Sequence, residues 1–239
     1  MQTQMIYEQF RSVQGELVQP GFTNRNYVTR FSLSMMPGEQ IACALELECA
    51  RTPRQTYGFR GAALAVYMRI LDDIAGDLCT ITWGMNGRGV TGRYVRDISS
   101  PYAAYVNGEM TLALGKEFAT SENHWTWRGF VLGSVGISNQ GAPWNRSLVS
   151  LESLQQQHLF QLYAVGYFGY GTHRLIDIDA FHGWSRVHHQ SIDVGISYAY
   201  HFLQWGDLSV SYEYRCLAKL YPEKNQAVMF SYFLPFSLF

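Results

Sequence analysis

The chain has 239 residues, of which 47% are hydrophobic, 15% aromatic and 15% charged, and its formal charge is −1. A water-facing surface carries about a quarter charged residues, so much of this one is expected to face something else. No Lys/Arg stripe offers a footing for nucleic acid, and no run approaches the roughly 18 to 20 consecutive apolar residues of a membrane-crossing helix.

The apolar content is spread in alternation, as in strands that turn one face to lipid. The opening Met1-Gln-Thr-Gln has no charged n-region or apolar h-region, and it reads as a mature chain whose signal peptide has been removed and a start Met added. A first strand is expected over 4–14. Tyr27, Thr29, Phe31, Leu33 and Met35 then form one face of a second, which turns at Met36-Pro-Gly-Glu39 into Ile41, Cys43, Leu45, Leu47 and Cys49 alternating with Ala42, Ala44, Glu46 and Glu48; this predicts a hairpin. Further strands are expected over 60–72, 77–87, 101–106, 109–119, 124–137, 157–170 and 173–183. Segments 88–100 and 138–156 read as long loops, the second holding a short helix over 147–157 with Leu148, Leu151 and Leu154 near one face.

The alternation is cleanest towards the end. Ile192, Val194, Ile196, Tyr198, Tyr200 and Phe202 oppose Ser191, Asp193, Gly195, Ser197, Ala199 and His201, and the turn Gln204-Trp-Gly206 joins them to a partner strand. In that partner Leu208, Val210, Tyr212, Tyr214, Cys216, Ala218 and Leu220 oppose Ser209, Ser211, Glu213, Arg215, Leu217 and Lys219. Val228, Phe230, Tyr232, Leu234, Phe236 and Leu238 finish the pattern; an aromatic strand of this kind would be an aggregation-prone edge in water but pairs with the first strand in a closed barrel. The fold class is therefore all-β: a single-domain transmembrane antiparallel up-and-down barrel of about twelve strands, each spanning about 9 to 11 residues, over residues 1–239.

Cys43, Cys49, Cys79 and Cys216 all share the apolar parity, which reads as small lipid-facing residues rather than disulfides. Candidate chemistry is sparse. His189, Ser191 and Asp193 share one strand face, and a His-x-Ser pair on a barrel wall resembles the base and nucleophile of outer-membrane phospholipases and of one kind of lipid A deacylase. Parity places them in the lumen, away from an acyl chain arriving through the bilayer, and Asn145, the third member one would cast, precedes the histidine. His182, His188, His189 and His201 lack carboxylates at ligand spacing, so no metal is expected; Asp177 with Asp179 and Glu46 with Glu48 read as lumen-lining acids. Leu175, Phe181 and Leu217 on lumen parity argue against a wide pore.

Residues 22–34, with Asn24-Arg-Asn-Tyr-Val28, resemble the early strand of the lipid A 3′-O-deacylase family, twelve-stranded outer-membrane barrels. Asp97-Ile-Ser-Ser-Pro-Tyr-Ala-Ala-Tyr105 is similar to that family's Asp-Arg-Pro-Tyr-Ala-Gly motif, and the closing hairpins match it in layout. Where the family carries an Asn-Asp pair this chain has Glu8-Gln9, where it carries Thr there is Val28, and its catalytic histidine has no counterpart after Val135-Gly-Ile137. The resemblance implies a catalytically silent relative without cofactor or metal, in a Gram-negative-type outer membrane, with a structural or accessory role in binding lipopolysaccharide, other outer-membrane lipid or a partner protein. The alternatives are an active lipid hydrolase and a small-solute channel.

Overall fold

A computed structural model describes residues 1–13, 24–120, 125–177 and 180–235. Its elements are β1 (Gln2–Phe10), β2 (Ser12–Val13), β3 (Asn24–Met35), β4 (Ile41–Arg51), β5 (Gly58–Leu71), β6 (Thr80–Val90), α1 (Gly92–Val95), β7 (Val106–Thr120), β8 (Trp125–Ser138), β9 (Trp144–Gln155), β10 (His158–Gly169), a turn of 3-10 helix at Trp184–Arg186, β11 (Gln190–Phe202), β12 (Gly206–Lys219), β13 (Pro222–Glu223) and β14 (Gln226–Phe233). Twelve of the strands close into one antiparallel barrel by the pairing of β14 with β1, while β2 and β13 form a two-residue ribbon at one rim. Closure leaves no unpaired edge, which is what a sheet in hydrocarbon requires.

The alternation has the predicted sense. Phe31, Leu33, Leu45, Leu47, Leu112, Leu114, Leu162, Ile196, Val210 and Phe230 stand exposed on the outer wall, whereas Glu48, Ser134, Ser150, Ser191, Asp193 and Ser231 are buried on the inner one. The four cysteines are free. Short connections, over 36–40, 72–79, 156–157 and 203–205, lie at the rim that also holds Met1 and Leu234; the opposite rim carries the long segments 91–105 and 170–189. By that asymmetry the long-loop rim is the extracellular one.

Four readings need correction. The expected loop and helix over 138–156 contain β9, paired with β8 on one side and β10 on the other. Apolar residues fall on both its faces, Leu148 inward and Leu151 outward, and it turns into β10 through Gln156-Gln157 with Gln156 at φ 52°, without the Asn-Gly that usually marks such a turn. The expected strands over 101–106 and 173–183 are loop up to Tyr105; only the isolated bridge His173↔Val187 touches the second region, and 178–179 lie outside the described residues. The expected loop over 88–100 begins as the end of β6, then turns into α1.

The fourth correction comes from a bulge. Ile192 pairs with Leu217 but Asp193 with Arg215, so Cys216 is the extra residue and parity inverts beyond it. Leu217 consequently faces outward, 46% exposed, and Ala218 packs inward. Leu175 is 81% exposed in its loop, so of the three residues expected to obstruct the lumen only Phe181 does. Phe22, Asp179, Phe236 and Leu238 lie outside the described residues.

Candidate functional site in the barrel lumen

The outer end of the barrel is filled from within. Phe10, Val13, Ile98, Phe181, Trp184, Val187 and Tyr221 form one buried cluster, and Ile6, Val28, Ala50, Val90, Tyr94, Val95 and Ala227 a second. Two loops supply the inserted side chains: 91–105 brings Tyr94, Val95, Ile98 and Tyr102, and 180–187 brings Phe181 and Trp184. They are tied to each other where Trp184 Nε1 donates to Ser100 O at 2.7 Å. Gly183, at φ 96°, lets the chain turn into the 3-10 helix with its backbone against Ala103. A β-branched or bulky residue is disfavoured in that conformation.

The first loop is anchored to the wall through polar groups. The Tyr94 hydroxyl donates to Ala50 O at 2.5 Å, Asn26 Nδ2 donates to Ser99 O at 3.1 Å, Thr52 donates to Asp97, and the Tyr102 hydroxyl donates to Glu48 Oε1 at 2.7 Å. Glu48 is the hub. It takes Arg30 at 3.1 Å, Arg60 at 3.1 Å and Arg88 at 3.5 Å, and its own side chain is 1% exposed. Arg60 reaches it because of a second bulge: Glu48 pairs with Gly61 and Cys49 with Phe59, which leaves Arg60 unpaired and turned inward. Its guanidinium then lies 4.8 Å from the Tyr102 ring centre and 6.0 Å from that of Tyr94, so both plug tyrosines rest on a cation paired to the wall. Burial of the Tyr102 phenol pushes its pKa up to about 12, against the pull of Arg60, so it stays protonated and donating.

Below the plug lies a polar chamber of about 370 Å³. Arg30, Arg88, Arg146 and Arg215 face it together with Glu8, Glu109, Asp193 and Glu213. Arg146 pairs with Glu109 at 2.7 Å, and Arg215 grips Asp193 through Nε at 2.6 Å and Nη2 at 2.7 Å, a bidentate pair. Nearer the short-turn rim a further cavity of about 310 Å³ is lined by Arg69, Asp72, Glu117, Arg128 and Glu152. A recess of about 1050 Å³ is on the outer wall across β7–β12 among Leu114, Val131, Leu162, Val194 and Ile196. It is a dent in the face that acyl chains cover.

His189, Ser191 and Asp193 are all brought to the lumen side, buried, as parity predicted. They are not joined into a relay. Residues two apart on a strand stand about 7 Å from each other, and neither His189 Nε2 nor Ser191 Oγ has a hydrogen-bond partner, while Asp193 is taken by Arg215. The other ring nitrogen of His189, Nδ1, lies 2.9 Å from Val187 O. The imidazole packs among Tyr167, Trp184 and Tyr221 and against Gly169, where a Cβ would sit 2.1 Å from Cε1. Desolvation there pushes its pKa down to about 4. Asn145 is on the opposite face of the wall, bonded at 2.8 Å to the Tyr170 hydroxyl. The histidines do not converge: among the described residues no group of three His, Cys, Asp or Glu is arranged to hold a metal.

Sequence reasoning placed Glu46, Glu48, Asp193 and Arg215 on the lumen face but missed the arginines of Glu46 and Glu48. Arg88 was hidden in an expected loop, Arg146 in another, and Arg60 faces inward only because of the bulge.

No family model matches the chain, and no curated protein matches it. Solved structures do. An outer-membrane channel from Pseudomonas putida F1 superposes with a TM-score of 0.59 at 10% identity, over 97% of this chain and 94% of that one. The NanC porin gives 0.62 at 11% identity, over 98% and 99%, and the KdgM porin 0.52 at 7% identity, over 97% and 99%. Identities this low establish the fold and nothing finer. The chain is an integral β-barrel protein of the bacterial outer membrane, built like porins and channels of that membrane.

Proposed function

We propose that this barrel is a narrow small-solute channel whose extracellular mouth is constricted by its own inserted loops. The observation that carries the reading is the chamber between the plug and the inner rim. Ion pairs of both signs line it, and Ser191 Oγ and Asn86 Oδ1 face it without a protein partner. Buried polar atoms of this kind are costly unless water or solute satisfies them, so the space is built to be wet. The similarity in fold to an outer-membrane channel and to two porins agrees with that use.

A second reading is the accessory barrel that binds lipid or a partner, the role implied by the resemblance to lipid A deacylases. The resemblance is carried by the short motifs in 22–34 and 97–105. The packing of Tyr94, Ile98 and Trp184, each fully buried, favours it, because a plug this dense suits a barrel that passes nothing. In either reading we take the chain to be catalytically silent, since His189 and Ser191 are unjoined and face away from lipid.

Planar-bilayer recording separates the readings, using wild type beside a variant in which 92–104 is replaced by Gly-Ser-Gly. Small steady current steps in wild type that grow several-fold in the shortened variant are expected. Silence in both, with each protein folded, overturns the channel and leaves the accessory barrel. Release of fatty acid from lipid A or phospholipid that Ser191→Ala abolishes would overturn the silent assignment.

A further inference from the structure

We infer that the lumenal chamber takes small organic cations carrying N–H donors, of the alkylammonium class, in preference to anions. The inference deepens the channel reading and rests on it for the route by which solute arrives. Two independent observations converge. The first is the pairing of charges: each arginine that faces the chamber is already held by a carboxylate, Arg30 by Glu48 at 3.1 Å, Arg88 by Glu46 at 2.5 Å, Arg146 by Glu109 at 2.7 Å and Arg215 by Asp193 at 2.6 Å. Glu8 and Glu213 line the same chamber and have no ion-pair partner among the described residues. Glu8 accepts from Asn26 Nδ2 at 3.1 Å, and Glu213 has the hydroxyl of Tyr163.

These two acids are not scattered. Ala227 of β14 pairs with Glu8 of β1 on one side and with Glu213 of β12 on the other, so both carboxylates project inward at one height across a single intervening strand. The second observation concerns what else points at that space. Ser191, only 1% exposed, presents an unpartnered Oγ, and Asn86 presents an unpartnered Oδ1. The two carboxylates, the Asn86 amide oxygen and the Ser191 hydroxyl thus give the chamber four groups able to accept a hydrogen bond. An ammonium ion is the complement, with donors only and one positive charge. An anion would meet acceptors and arginines already committed to other partners. A volume near 370 Å³ limits the occupant to a few heavy atoms with their water.

The test is saturation-transfer NMR on the detergent-purified full chain in nonionic micelles, with ethylammonium chloride and sodium acetate as probes. It is followed by the reversal potential of the reconstituted protein across a KCl gradient. Ethylammonium is expected to show transfer and acetate none, and Glu8→Gln with Glu213→Gln should weaken the ethylammonium signal about tenfold. The double variant should also move the reversal potential towards zero. Glu213→Gln alone, expected to give part of the loss, serves if the double variant does not fold. Transfer to acetate equal to that of ethylammonium, or an ethylammonium signal that survives the substitutions in a folded variant, overturns the inference. Binding without any current refutes the channel and leaves the chamber's preference standing; current with anion selectivity does the reverse.

Discussion

The two ends of the barrel solve the same problem in opposite ways. At the short-turn end the inner wall carries small side chains, among them Ser32, Ser34, Ala42, Ala44, Ala113, Ser197, Ser209 and Ser231, and space remains. At the long-loop end the space is occupied by Trp184, Tyr94, Ile98 and Phe181, none more than 4% exposed, held to the wall by the ion pairs of Glu48. A twelve-stranded wall does not dictate whether its interior is open. Side-chain volume and returning loops decide, and here they decide differently within one molecule.

That contrast is most sharply broken at Trp184. Its replacement by Ala removes the largest fully buried side chain among the described residues and should lower the unfolding free energy by about 4 kcal/mol, read by urea titration in lipid vesicles; a loss under about 1 kcal/mol would mean the plug is not a packed core. Glu48→Gln comes next. It leaves the buried Arg60 without its carboxylate, while Arg30 and Arg88 keep Glu46; stranding a buried cation in this way costs about 3 kcal/mol, with faster protease cleavage within 91–105 as the second readout. Unchanged stability would show that Tyr94 and Tyr102 do not depend on the hub.

His189 supplies a pH test of the same end. Its folded pKa of about 4 lies below the usual value of about 6.5, so the unfolded chain takes the proton first as pH falls. Stability is therefore lost between about pH 6.5 and 4, by roughly 2–3 kcal/mol from this group. The groups around it are aromatic apart from His188 and Arg215, both of which oppose its charging. His189→Gln should flatten that part of the pH profile, and an equal acid loss in the variant would assign it elsewhere. Tyr94→Phe is the mildest change: it removes the hydroxyl that donates to Ala50 O and should cost about 1 kcal/mol. A loss as large as that of Trp184→Ala would relocate the anchor of the loop.

The outer wall was legible because lipid imposes a strict period of two. Segments 190–215 and 226–233 read off correctly, as did Tyr27 to Met35 against Ile41 to Leu47. What escaped notice was everything that breaks the period. Arg60 and Cys216 each add one residue to a strand, and within β12 the parity assignments beyond Cys216 inverted, at Leu217 and Ala218. In β9 Trp144 and Leu148 face the packed lumen, so apolar residues stand on both sides and the segment imitates a helix. Tyr102 to Tyr105 and Phe181 to Trp184 are apolar because they fill the barrel end, and apolar residues at short spacing were read as strands. The acids of the site were visible through their strands, as was Arg215, but Arg60 lay at a bulge and Arg88 and Arg146 in segments expected to be loops, and so the ion-pair network could not be assembled from sequence.

The seam of the barrel has a consequence for how the molecule forms. The Met1 amino group donates to Leu234 O and Leu234 N donates back to Met1 O, at 2.9 and 2.8 Å, across a sequence separation of 233. Between them β1 and β14 run paired for eight residues. Nearest-neighbour hairpins such as β11 with β12 join segments a few residues apart, but this one pairing closes a loop the size of the described chain, whose entropy is lost before any of its hydrogen bonds is gained. Assembly should accordingly be paced by closure. An open sheet with two unpaired edges is then the form expected to precede closure, and capture of that open form, rather than of the unfolded chain, is where a folding factor or an aggregate would intervene.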